Sequence, residues 1–267
     1  TTCRRQRQMC IRDSLITGSP TWLYVSDRLI QFPLGIFAIA IGTVLLPSLS
    51  SANQRGDLTL YKEHLRKSQR LVIFLAIPSV IGLALCSEHL ISTLFQRGEF
   101  FYTDVTQASK SLIAFSFGLP FFMMMKVLVP AFFSRKDTKT PMYAALAALA
   151  LNIILNYYFA FTLGYGHIGL AFASSISALL STGILYTILV KGNYIQLTSP
   201  LNRFNLAVIL GSISVILFLI YGPFNINFNS LSFIDRLITL SLEVAISILL
   251  YLLITRAIFG KKLKELF

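Results

Sequence analysis

Residues 22–49 read W-L-Y-V-S-D-R-L-I-Q-F-P-L-G-I-F-A-I-A-I-G-T-V-L-L-P-S-L. A helix needs about 20 apolar residues to cross roughly 30 Å of hydrocarbon, so this run is long enough to enter a bilayer. It nonetheless carries an adjacent acid and base, Asp27 and Arg28, with Gln31 one turn on and the helix-bending Pro33 after it. An ionisable group in hydrocarbon is costly, so such groups face a protein interior or a wet cavity. One reading of the pair is therefore a functional site, whose cation points to an anionic substrate. A second reading stays open. Arg28 lies only about 9 Å along the helix from Trp22 at 1.5 Å per residue, close enough to snorkel to the nearer surface.

The rest of the chain agrees with a membrane setting. It is 55% hydrophobic and 13% charged, with a mean hydropathy of +0.71, where soluble domains carry roughly twice that share of charge. The formal net charge of +12 does not indicate nucleic acid. No basic patch is interleaved with stacking aromatics, and the basic residues read as loops facing anionic membrane lipids. Cys3, Cys10 and Cys86 form no disulfide framework, and Cys86 alone in an apolar run reads as a small buried hydrophobe. His64, His89 and His167 have no metal-ligand spacing. Residues 1–14 hold four arginines and two cysteines, with no apolar signal core after them, and read as a non-native leader. Without them the net charge is about +9.

Long apolar runs predict seven spans, at 22–49, 71–95, 109–133, 141–163, 168–190, 204–221 and 234–258. Thr140-Pro141 predicts a helix start, with Thr as N-cap and Pro at the first helical position. Lys and Arg crowd the first, third and fifth loops and the tail. The positive-inside rule makes those segments, and the C-terminus, cytoplasmic. Seven spans beginning outside imply missing upstream helices, so the chain is expected to be the C-terminal part of a larger transporter. In the first loop, Asp57 is placed to cap a helix whose Leu58, Tyr61 and Leu65 share one face. That is an interfacial amphipathic helix or a solvated charged loop.

Y-V-S-D-R-L-I-Q-F-P-L-G-I-F-A-I-A-I-G-T-V-L-L-P-S-L-S at 24–50 resembles the MurJ/MviN family of lipid II flippases. L-F-Q-R-G-E-F at 94–100 follows in order, then K-V-L-V-P-A-F-F-S-R-K-D-T-K-T-P at 126–141, L-N-Y-Y-F-A-F at 155–161 and G-H-I-G-L-A-F-A-S-S-I-S at 166–177. The resemblance implies an all-α polytopic protein: the C-terminal lobe of a two-lobe transporter plus two extra helices. Residues 15–195 would supply five spans of that lobe. Residues 196–267 would supply the added pair and a basic cytoplasmic tail. The implied partners are an undecaprenyl-diphosphate-linked peptidoglycan precursor and the missing N-terminal lobe, in the bacterial cytoplasmic membrane. The resemblance also places Arg28 in the central cavity, where a guanidinium suits phosphate geometry. Gln31 stands where many members have Glu. No cofactor is implied; a coupling cation or the membrane potential would drive transport by rocking of the lobes.

Other polar residues interrupt the spans. Lys126, near the inner end of the third, is a second candidate phosphate contact or a snorkelling lysine. Asn152 and Asn156 share a helix face at i, i+4 and are candidates for a coupling-ion site or for helix packing. Glu243, midway along the last span, is placed to line a groove for the lipid tail or to pair with another span. Gly164, Gly166 and Gly169 read as turn and close-packing residues. Competing functions are a polysaccharide-unit exporter or drug/cation antiporter of the same superfamily, a non-transporting cell-wall scaffold, and a membrane enzyme. An enzyme would call for clustered acids or histidines at a membrane boundary, and the eleven acids here are dispersed.

Overall fold

The computed structural model describes residues 18–195, 203–222 and 231–259, which contain helices and no strands. The leader at 1–14 and the basic tail lie outside the described residues. Helix α1 (Ser19–Pro33) runs through a π-helical stretch, Leu34–Ile39, into α2 (Ala40–Gln54). Then come α3 (Leu58–Leu85), the short α4 (Ser87–Phe95), α5 (Tyr102–Ser116) and α6 (Leu119–Phe133). Helix α7 (Lys139–Tyr157) ends in a π-turn, Tyr158–Thr162, before α8 (Gly166–Lys191), α9 (Arg203–Tyr221) and α10 (Phe233–Phe259).

Five of these, α3 and α7 to α10, are each long and apolar enough to span a bilayer. Two bent pairs are long and apolar enough when taken together, which makes seven spans if each pair is one. The first pair turns by 40° between Ser19–Phe37 and Ile41–Gln54, and α5 and α6 meet at 41°. The bends have covalent causes. Pro33 has no N–H for the Leu29 carbonyl, and the backbone absorbs the mismatch in the π-helical stretch. At the second bend Pro120 deprives the Ser116 carbonyl of its donor, and Gly118 donates to Phe115 in a tighter turn (2.9 Å).

Seven spans is the number expected, but three local expectations change. The third span starts at Tyr102 rather than 109 and is broken at Phe117–Gly118. The charged stretch expected as an interfacial helix is the beginning of α3. Asp57 does cap it, accepting from the Leu60 amide at 3.0 Å. Tyr61 and Leu65, however, are buried while Leu58 is exposed, and the Tyr61 hydroxyl donates to the Ala131 carbonyl of α6 at 2.7 Å. The cap of α7 is Asp137, which accepts from the Thr140 amide at 3.0 Å and its hydroxyl at 2.7 Å, so the helix begins at Lys139.

Helix α8 is the centre of the bundle, half of its most apolar stretch being buried. Its small residues let it cross the α5–α6 bend closely. A Cβ on Gly118 would fall 2.6 Å from the Ser175 hydroxyl. Ser175 donates to the Ala114 carbonyl (2.8 Å) and Thr182 to that of Phe121 (3.1 Å), so α8 supplies donors where the bend disturbs the backbone ladder. Helices α9 and α10 pack on each other and on α3 and α4. Tyr251 of α10 donates to the Phe74 carbonyl at 2.8 Å.

Candidate functional site

The rotation of α1 about its axis is fixed by two contacts with α5. The Trp22 indole N–H donates to Asp104 Oδ1 at 2.8 Å, and the Ser26 hydroxyl donates to the Ala108 carbonyl at 2.7 Å. Asp104 is itself held, because its other oxygen accepts from the Phe101 amide at 2.9 Å at the start of α5. The His167 ring of α8 meets Trp22 edge-on at 4.8 Å. Trp22, Val25, Ser26, Leu29, Ile30 and Pro33 are thereby buried. The opposite stripe, Tyr24, Arg28, Gln31 and Phe32, is exposed.

Asp27 and Arg28 do not pair with each other among the described residues. Adjacent helical residues diverge by about 100°, so neither faces the other. Asp27 instead accepts from the Gln31 side-chain amide at 2.6 Å, one turn along. The Arg28 guanidinium lies over the Tyr24 ring, 4.9 Å from its centroid. Stacking on one face leaves the in-plane N–H donors of an arginine pointing outward, and those are the donors that take an anion bidentately. The polar stripe thus holds a cation braced on an aromatic, beside a carboxylate already satisfied by an amide.

Lys126 is exposed on α6 and is not brought to Arg28. Its carbonyl lies beside Gly42 of α2, where an added Cβ would come within 3.2 Å. That contact is roughly 20 Å along the span from Arg28 at 1.5 Å per residue. Asn152 and Asn156 bond to each other at 3.0 Å, and Asn152 reaches Ser174 of α8 at 3.5 Å, a packing arrangement between α7 and α8. Glu243 is 2% exposed. Its carboxylate meets His89 Nδ1 at 3.0 Å and the Cys86 thiol at 3.6 Å, so it is enclosed by the α3–α4 junction rather than open to a groove. Cys86 is therefore more than a lone buried hydrophobe. Gly164 and Gly166 have positive φ, and Gly169 lies against the Phe159 backbone, the turn and close-packing roles expected of them.

Sequence reasoning missed the Trp22–Asp104–His167 assembly, and it offered pairing with another span for Glu243 without naming His89 as the partner. Each joins residues far apart in the chain. Only the presence of polar residues at the ends of apolar runs signalled them.

Among the described residues, five helices, or seven if each bent pair is one span, are long and apolar enough to cross a bilayer, which defines a multi-pass membrane protein with an arginine on an exposed helix face. The family model described as lipid II flippase MurJ matches residues 6–254, and the chain belongs to that family. A probable lipid II flippase MurJ of Vibrio cholerae is 46% identical over 189 residues, covering 71% of this chain and 35% of that protein. The probable lipid II flippase MurJ of Haemophilus influenzae is 38% identical, covering 77% of this chain and 41% of its own length. A solved lipid II flippase MurJ in an inward closed conformation superposes with a TM-score of 0.76 at 28% identity, over 93% of this chain and 49% of that one. The chain thus spans between about a third and a half of the length of the proteins it matches. Membership and helices together make it a multi-pass protein of the bacterial inner membrane.

Proposed function

We propose that this chain forms part of a flippase that carries an undecaprenyl-diphosphate-linked peptidoglycan precursor from the inner to the outer leaflet. The observation that carries the reading is the exposed Tyr24–Arg28–Gln31 stripe of α1. Facing lipid, an arginine at this position would be costly. Facing a wet cavity closed by the other part of a longer transporter, it is free to hold a diphosphate. The polyprenyl tail stays in lipid while the head group crosses, and rocking of two lobes exposes the site alternately. No covalent step is needed. Residues 15–195 would act within one lobe and 196–267 as an accessory helix pair.

The test is a chimera in which this chain replaces the matching segment of a longer family member, expressed in cells depleted of their own flippase. Restored growth at normal membrane levels is expected; none, with the protein inserted, would reject the reading. Orientation is tested alongside. With the C-terminus cytoplasmic, cysteines replacing Glu99 and Tyr165 label from outside, and one replacing Lys139 labels only after permeabilisation. The reverse pattern would overturn the topology and the cavity with it.

A further inference from the structure

One pocket in the fold lies far from the α1 stripe, where the first turns of α3, the last turns of α8 and the first turn of α9 converge. Because helix ends of three spans meet there, it sits at one membrane face, at the level of lipid head groups. Its α3 wall presents Lys62, Arg66 and Arg70 at successive four-residue steps, with Gln69 between them. Tyr186 and Tyr194 stand on the α8 side, and Phe204 and Asn205 open α9. Among the described residues lining the pocket there is no carboxylate.

Two observations make this more than a basic surface. The Arg70 guanidinium lies over the Phe204 ring at 5.7 Å, which holds that cation at the mouth. Gln69 is only 9% exposed, and its side-chain nitrogen has no hydrogen-bond partner. A buried amide left unpaired is costly, and one lining a pocket ringed by cations is placed to donate to an anion. The start of α9 adds the positive end of a helix dipole.

We propose that this pocket binds the phosphate of an anionic phospholipid head group, with Arg66, Arg70 and the Gln69 amide as donors and the neighbouring tyrosines and Phe204 flanking the glycerol region. The inference is independent of the transport reading, since the pocket and Arg28 lie on different elements.

The test uses the whole chain purified in detergent, with native mass spectrometry counting retained lipid. Phosphatidylglycerol and phosphatidylcholine with the same acyl chains are added in parallel. Phosphatidylglycerol should be retained about tenfold better, because the choline cation that accompanies the same phosphate in phosphatidylcholine is repelled by Lys62, Arg66 and Arg70. The double variant Arg66→Gln/Arg70→Gln should lose that preference. Gln69→Leu should weaken it roughly threefold, the worth of a single hydrogen bond, without lowering the melting temperature, because the change removes an unpaired polar group. Lys67→Gln, which removes the same charge from a face outside the pocket, should leave it intact. Equal retention of the two lipids, or a preference unchanged in both pocket variants, would overturn the site. Displacement of the lipid by millimolar inorganic phosphate would assign the pocket to a soluble phosphate and overturn the lipid assignment.

Discussion

Arg28 and Glu243 are both ionisable residues set inside apolar helices, and the fold treats them in opposite ways. Glu243 is 2% exposed and takes a hydrogen bond from each side, His89 at 3.0 Å and Cys86 at 3.6 Å. Among the described residues, Arg28 is turned to the exposed face of α1 and lies over its own helix neighbour, Tyr24. A charge enclosed with its partners is already satisfied and serves to hold α10 against α3 and α4. A charge held out on a rigid face, with its in-plane donors unspent, is arranged for something that arrives. Hydropathy treats the two as equal interruptions of a span; the neighbouring helices separate them.

The largest expected effect follows from that separation. In the family chimera, Arg28→Ala should abolish growth rescue and Arg28→Lys should impair it, since an ammonium cannot reproduce the planar fork. Loss of a charge-assisted contact of about 1.5–3 kcal/mol corresponds to roughly ten- to hundredfold weaker binding. Insertion should stay normal, because the span becomes more apolar. Full rescue by Arg28→Ala at normal membrane levels would make Arg28 a snorkelling residue and dissolve the contrast.

Glu243 should show the reverse profile. Glu243→Leu removes the buried carboxylate that meets both His89 and Cys86 and should lower stability in detergent by about 1–3 kcal/mol. His89→Leu combined with it should recover part of the loss, because both polar partners of that contact are then replaced and only the weak Cys86 thiol donor loses its acceptor. Neither change should alter dependence on Arg28. The comparison breaks if Glu243→Leu abolishes rescue while the melting temperature holds, since the carboxylate would then be acting on the substrate.

A smaller effect is expected from the contacts that aim Arg28. Trp22→Phe keeps the ring against His167 but removes the indole donor to Asp104, a hydrogen bond of about 1 kcal/mol. Rescue should fall only partly, and the variant should melt slightly earlier. A loss as deep as that of Arg28→Ala would mean Trp22 itself touches the substrate.

Much of this molecule could be read before it was seen, and the reasons are physical. Spans are legible because each must satisfy its backbone internally and present apolar side chains outward, so the seven runs declare themselves one at a time. Asp27-Arg28 was legible because charge is rare in such runs. What each charge meets was not. The Asp104 oxygen that receives the Trp22 N–H is on another span, and the Asp27–Gln31 bond is chosen over an Asp27–Arg28 pair by helical geometry that a linear motif conceals. The breaks at Cys86 and Phe117–Gly118 were hidden for a different cause. Apolar composition continues across Phe117–Gly118, so hydropathy has no minimum there, and at Cys86 the polar Ser87-Glu88-His89 is too short a dip to end the run.

The smallest expected effect concerns charges that are neither enclosed nor aimed at a ligand. Asp57 and Asp137 cap α3 and α7 from loops outside the spans. The Leu60 amide, followed by the Thr59 hydroxyl, holds the Asp57 carboxyl below its ordinary pKa. The Thr140 hydroxyl and then its amide do the same for Asp137. A depressed pKa means that the folded chain binds its proton less readily than the unfolded chain. The stabilisation is therefore complete above the ordinary carboxylate range and is lost as pH falls through the lower, folded value. Both side chains are well solvated, so screening keeps the effect small. Amide exchange at Leu60 and Thr140 should stay slow at neutral pH relative to the intrinsic rate and lose that protection on acidification below the usual carboxylate range. Asp57→Asn and Asp137→Asn, which keep a capping oxygen without the titrating charge, should flatten this pH dependence while leaving Arg28-dependent rescue untouched. Protection that survives acidification in the unaltered chain would show that these caps hold through their neutral forms, and that charge at the helix ends contributes nothing the fold requires.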